Sequence, residues 1–168
     1  VNGDDVTATG YFVEHFQEYN SVWNGERGRV ILFQNELPYD PPSQADWIAD
    51  DGTLGWAGYK VADDVKEHNL WGGGVYAFNR NDPGIVTENG FEVPDTPGVV
   101  ARHVMTKVLS GPGAILHVIN GVGDPVDGIL ECDDPAIPDV PVNCGPDKGP
   151  FEAPSYVIEY NNGNAILP

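Results

Sequence analysis

Seven short runs of β-branched and aromatic residues, each fenced by Gly, Pro, Asn or Asp, constrain this chain more than any other feature. They cover residues 6–16 (VTATGYFVEHF), 29–34 (RVILFQ), 56–61 (WAGYKV), 74–79 (GVYAFN), 99–105 (VVARHVM), 114–119 (AILHVI) and 155–160 (SYVIEY). Runs of this kind between turn formers read as strands. The one helix-like stretch is 62–69 (ADDVKEHN), where Asp63 or Asp64 can cap a short turn. The fold class is therefore all-β. Strand starts recur mostly 15 to 27 residues apart, whereas a β-sandwich repeats every ~8–12 residues. The wider interval, and runs apolar at nearly every position, suit the stacked coils of a parallel β-helix. Spacing alone leaves the β-sandwich open as an alternative.

Charge narrows the partners. Eight Lys and Arg stand against 26 Asp and Glu, a formal charge of −18. Nucleic-acid affinity comes largely from neutralising phosphates with cations, and anionic membranes need the same. Both are excluded as partners, which leaves a neutral or cationic one. No apolar run approaches the ~18 residues of a membrane span. The first residues, VNGDD, lack the charged and apolar regions of a signal peptide, as a mature or excised chain would. Cys132 and Cys144 flank a Pro-rich loop with no nearby His. That is a poor zinc site and a good disulfide, which implies an oxidising, secreted setting. No nucleotide, zincin or nucleophile-elbow motif occurs, and no cofactor is expected.

Residues 10–47 (GYFVEHFQEYNSVWNGERGRVILFQNELPYDPPSQADW), 55–79 (GWAGYKVADDVKEHNLWGGGVYAFN), 93–104 (VPDTPGVVARHV) and 114–126 (AILHVINGVGDPV) resemble the C-terminal segment of secreted microbial pectate-lyase-superfamily β-helix proteins related to glycoside hydrolase family 55. The resemblance covers about residues 3–126 and departs from the pattern over 127–155. It implies a right-handed parallel β-helix, a longer parent with coils before Val1, and action on an extracellular polysaccharide such as a β-glucan. The expected organisation is rungs and active-site-type loops over 1–126, then a disulfide-stapled C-terminal cap or extension over 127–168.

Two motifs carry the expected chemistry. In the first, Glu14 and His15 leave a strand end, and Phe12, Val13 and Phe16 frame Glu14. A carboxylic acid so enclosed has its pKa raised, as a general acid requires. The second, Gln34-Asn35-Glu36-Leu37-Pro38-Tyr39-Asp40-Pro41-Pro42, gathers amides, two carboxylates and a ring on a Pro-stiffened loop. Glycoside hydrolysis needs two carboxylates, and neighbouring rungs lie about 4.8 Å apart. Glu14 and Glu36 are candidate acid and base, with Asp40 able to replace either. His15, Gln34, Asn35, Tyr39, Trp23 and Trp47 are candidate sugar contacts. Lys60, inside an apolar strand, is either carboxylate-paired or a substrate contact. With Arg102 it also supports an alternative lyase reading that would use calcium. Asp124, Asp127, Glu131, Asp133 and Asp134 are oxygen ligands without calcium-loop spacing. The other alternative is a non-catalytic structural or carbohydrate-binding segment that self-associates or contacts the preceding part of a longer parent through an open β edge.

Overall fold

The computed structural model describes residues 1–80, 85–111, 113–127 and 153–168. Cys132, Cys144 and their expected disulfide lie outside the described residues, as do Glu131, Asp133 and Asp134. The chain forms β1 (Thr7–Phe12), β2 (Ser21–Trp23), β3 (Gly28–Glu36), β4 (Tyr59–Val61), β5 (Glu67–Phe78), β6 (Val86–Glu92), β7 (Gly98–Ser110), β8 (Ala114–Ile119), β9 (Val126–Asp127), β10 (Ser155–Asn161) and β11 (Asn164–Ile166). Odd and even strands segregate. One sheet has the order β1-β3-β5-β7-β10-β11, the other β2-β4-β6-β8-β9. Pairing is parallel from β1 through β7 in the first sheet and from β2 through β8 in the second. This is a coil of stacked rungs, consistent with a pectate-lyase-like β-helix. Thr7 pairs with Arg29, Arg29 with Asn69 and Asn69 with Val100, so successive rungs advance by 22, 40 and 31 residues. Loops of unequal length absorb the difference. Parallel stacking removes the sandwich alternative. Three antiparallel strands, β9, β10 and β11, end the pairing.

A line of left-handed residues shapes the larger sheet. Gly10, Leu32, Gly72 and His103 have φ of 61°, 64°, 71° and 53°. The flanking pairs, Thr9 to Ile31 to Trp71 to Arg102 and Tyr11 to Phe33 to Gly73 to Val104, put these four side by side. One left-handed residue in an extended strand bends it and breaks the in–out alternation. In β3, Ile31 and Leu32 therefore both face outward, 49% and 54% exposed, while Val30 and Phe33 are buried. Each long strand thus contributes to two walls.

Inside, aromatic residues from successive rungs interlock. Phe33 lies 4.8 Å from Tyr59 and 6.2 Å from Phe91, and Trp23 lies 6.4 Å from Tyr59. Gly73 makes room for them, because a Cβ there would meet the Phe91 ring at 3.0 Å. The helix-like stretch 62–69 forms no helix. Val65 N–H donates to the Ala62 carbonyl in a turn, and β5 begins at Glu67. Helical polarity was outweighed there by β5, which pairs on both edges. The polar run VTENGFE becomes β6 for a related reason. Asn89 accepts the Gly121 N–H at 2.8 Å, and Val86 N–H donates to Gln44 at 2.6 Å, so its polar groups are satisfied within the wall.

Two stability effects follow. His68 is buried, with Nε2 2.6 Å from the Tyr59 hydroxyl, and burial lowers its pKa from 6.5 to about 4. The unfolded chain takes up this proton below pH ~6.5 and the folded chain only near pH ~4. Stability is complete above the upper value and falls by about 3 kcal/mol as pH drops between them. Denaturant melts of His68→Gln should lose most of that acid slope. At Gly10 no atom lies within 4 Å of the missing Cβ. Gly10→Ala therefore reports backbone strain alone and should cost about 1 kcal/mol in urea unfolding.

A candidate active site at the corner after β1, β3 and β5

Where three strands of the larger sheet end, their backbones keep bonding across rungs. His15 N–H donates to the Glu36 carbonyl at 2.9 Å, Leu37 N–H to Tyr76 at 2.8 Å and Arg80 N–H to Tyr39 at 2.9 Å. This ladder stacks His15, Glu36 with Tyr39, and Arg80 at one corner. Glu36 Oε2 accepts the Tyr39 hydroxyl and lies 3.4 Å from His15 Nε2. The His15 and Tyr39 rings are 4.2 Å apart, the Phe78 ring meets Tyr39 edge-on at 5.2 Å, and the Arg80 guanidinium sits 4.6 Å from the Tyr39 ring centre. The hydrogen bond to Glu36 comes first among the causes that raise the Tyr39 pKa, followed by burial and the charges of Glu36 and Glu14. The phenol stays a donor through the neutral range. Charge-assisted bonds of this type fix a carboxylate in place.

Of the residues singled out from the sequence, His15, Glu36 and Tyr39 converge, with Gln34 part-exposed two positions before Glu36 on the same strand. Glu14 is exposed beside them. Its expected apolar enclosure does not form, because Phe12 and Phe16 are themselves 60% and 61% exposed. Asp40 is exposed at the rim. Phe78 and Arg80 were missed; both sit at the edge of a stretch that reads as a plain turn, NRNDPG.

Three expected sugar contacts are internal instead. Trp23 is wholly buried, its indole N–H donating to Ser21 Oγ at 3.1 Å. Trp47 is buried, and its indole N–H donates to the Gln17 carbonyl at 2.6 Å. It thereby anchors the loop that carries Glu14 and His15. Asn35 is buried and donates to the Val13 carbonyl at 2.6 Å, a bond between rungs just before the corner. All three belong to the framework because their rings or amides fill the interior side of the alternation.

The cations of the lyase reading are engaged elsewhere. Lys60 Nζ lies 3.0 Å from Glu92 and 3.8 Å from Asp63. Tyr19 also donates to Glu92, at 3.0 Å, and burial followed by the Glu92 charge pushes its phenol pKa well up. Lys60 is thus a structural ion-pair partner and not a substrate contact. Arg102 pairs with Glu159 at 2.9 Å. Among the described residues no group of three or more His, Cys, Asp or Glu side chains is placed to hold a metal ion.

Comparison with known proteins agrees with this architecture. A family model for the LAM55 pectate lyase-like domain matches residues 1–36. An exo-beta-1,3-glucanase from Streptomyces sp. (strain SirexAA-E / ActE) is 45% identical over 128 residues, 76% of this chain and 21% of that protein. The structure of sacteLam55A from Streptomyces sp. SirexAA-E superposes with a TM-score of 0.79 at 38% identity, covering 95% of this chain and 25% of that one. A variant of it in complex with glucose gives the same TM-score at 37% identity. The chain is a pectate-lyase-superfamily segment related to glycoside hydrolase family 55. It spans between a fifth and a quarter of the length of these relatives.

The Lys60–Glu92 pair can be tested directly. Glu92 keeps only 12% of its side chain exposed, so Lys60→Met should leave a buried carboxylate held by the Tyr19 hydroxyl without its counter-charge and cost about 3 kcal/mol. Adding Glu92→Leu should recover most of the loss, measured by urea unfolding.

Proposed function

We propose that the protein is an extracellular glycoside hydrolase that cleaves β-1,3-glucan, with Glu36 as its general acid. The observation that carries this is the fixing of Glu36 through one oxygen, which accepts the Tyr39 hydroxyl and lies 3.4 Å from the His15 ring. That oxygen is Oε2. That arrangement orients the carboxyl group and leaves Oε1 for the glycosidic oxygen, to which an acid must deliver its proton. Glu14 is the second carboxylate, activating water or attacking the sugar, because it lies next to His15, whose backbone bonds to Glu36 from the neighbouring rung. Asp40 is its substitute at the rim, and Gln34 and Tyr39 position the sugar. The substrate follows from the glucanase activity named for the relative that is 45% identical.

The same reading makes the coil right-handed, the hand of nearly all parallel crossovers. It assigns rungs and site loops to residues 1–126 and a closing segment to 127–168. Secretion rests on the acidic charge and on the cysteine pair.

Glu36→Gln in the full-length protein should lower kcat on β-1,3-glucan by roughly 10²–10⁴-fold, the usual contribution of a general acid. Its Tm should stay within a few degrees of wild type. Near-normal turnover with an intact fold would remove Glu36 from the chemistry.

A further inference from the structure

Asn-Gly occurs five times in the chain, at Asn2-Gly3, Asn24-Gly25, Asn89-Gly90, Asn120-Gly121 and Asn162-Gly163. The pair has a covalent chemistry of its own. With no Cβ on the glycine, its amide nitrogen can swing onto the side-chain carbonyl of the asparagine. Whether it does so depends on what holds the two groups.

Four of the pairs are held. Asn89 lies buried in β6, and its Oδ1 accepts the Gly121 N–H at 2.8 Å. Asn120 and Gly121 form a two-residue turn between Ile119 and Val122, with φ of 46° and 77°. Asn120 Oδ1 accepts the Val93 N–H at 3.1 Å. Its Nδ2 donates to the Val93 carbonyl at 2.6 Å and to the Tyr160 hydroxyl at 3.1 Å. Since Gly121 N–H is bonded to Asn89, nucleophile and target are both engaged. Asn24 Nδ2 donates to Asn2 Oδ1 at 2.7 Å, which couples those two side chains. Gly25 N–H donates to the Val1 carbonyl at 3.2 Å.

Asn162-Gly163 is the same kind of turn without those restraints. Its φ values are 50° and 73°, between the paired Asn161 and Asn164. Both residues are exposed. The side-chain bond at this turn, from Asn164 Nδ2 to the Asn162 main-chain carbonyl at 2.8 Å, leaves the Asn162 amide untouched. Attack requires the turn to leave its left-handed conformation. The surroundings make that easy, because β11 is three residues long, ends its sheet and pairs with β10 alone. The same motion at Asn120 would break four bonds.

We infer that Asn162 is a self-modifying position, at which Gly163 displaces the side-chain nitrogen. The Gly163 nitrogen gives its proton to solvent base and bonds to Asn162 Cγ. The Cγ–Nδ2 bond breaks, and ammonia leaves with a proton returned by solvent. Water then opens the cyclic imide at one carbonyl or the other, giving aspartate or isoaspartate. Aspartate tolerates the left-handed turn. Isoaspartate adds a methylene to the main chain inside a two-residue turn, which releases β11. Strand β10 keeps its pairing with β7 and the bond from Tyr160 to Asp95 at 2.6 Å.

The test incubates the full-length protein at mildly alkaline pH and maps amide-to-acid conversion by peptide mass, with fragmentation to separate aspartate from isoaspartate. Asn162 should lead all five sites and convert at least about tenfold faster than Asn89 or Asn120, whose hydrogen bonds must open first. Hydrogen exchange at the β11 amides should rise in the isoaspartyl fraction and not in Asn162→Asp. Conversion led by any other site would overturn the inference. So would rates within about threefold of one another at all five sites, because the bonds would then protect nothing. So would an unchanged Asn162 after the time in which the urea-denatured chain converts. Full β11 protection in the isoaspartyl fraction would overturn the release of that strand.

Discussion

Parallel backbone pairing between rungs is the interaction on which the rest depends. Each long strand of the larger sheet bonds to the coil before it and the coil after it, and its interior side chains pack on the same neighbours. No single rung can bury its own face, so stability accrues by stacking. The left-handed residues at Gly10, Leu32, Gly72 and His103 are part of that stacking. Each turns its strand at the same height, so the bends superpose and the ladder survives. Leucine and histidine adopt this conformation at a cost of roughly 1–2 kcal/mol each, which the flanking pairs from the neighbouring rungs offset.

The candidate site is a by-product of the same register. His15, Glu36, Tyr39, Phe78 and Arg80 come from three different coils, separated by loops of different length. They meet because backbone bonds continue past the strand ends and hold the three turns one above another. Interior groups support the corner from behind. Asn35 ties its rung to Val13, and Trp47 holds the loop at Gln17. The carboxylate is therefore positioned by framework residues as much as by its own contacts.

Charge is distributed to match. With 26 acidic residues and eight Lys and Arg, cations are scarce. Arg27 bonds Asp5 at 2.8 Å, Lys60 holds Glu92, and Arg102 holds Glu159. Arg80 differs, lying over the rings of Tyr39 and Phe78. There its charge steadies an aromatic donor to Glu36.

The sequence by itself determined the strand composition, the wide spacing that suits a solenoid, and the acidic charge. It also marked out Glu14, His15, Glu36 and Tyr39, because polar residues placed directly after apolar strands stand out locally. It did not show the short strand β2, or β6, whose polar side chains meet partners from elsewhere in the chain: Leu54 bonds Glu88, Gly121 bonds Asn89, and Lys60 and Tyr19 bond Glu92. Nor did it separate Trp23 and Trp47, which look like exposed loop aromatics and are core. Only the tertiary structure decided which rings are interior, and in β1, β3, β5 and β7 one left-handed residue breaks the alternation that a sequence pattern assumes. It alone also brought Arg80 to the corner and aligned the three glycines of β5 with their neighbours. Those placements depend on register between coils 22 to 40 residues apart, and no local preference encodes that.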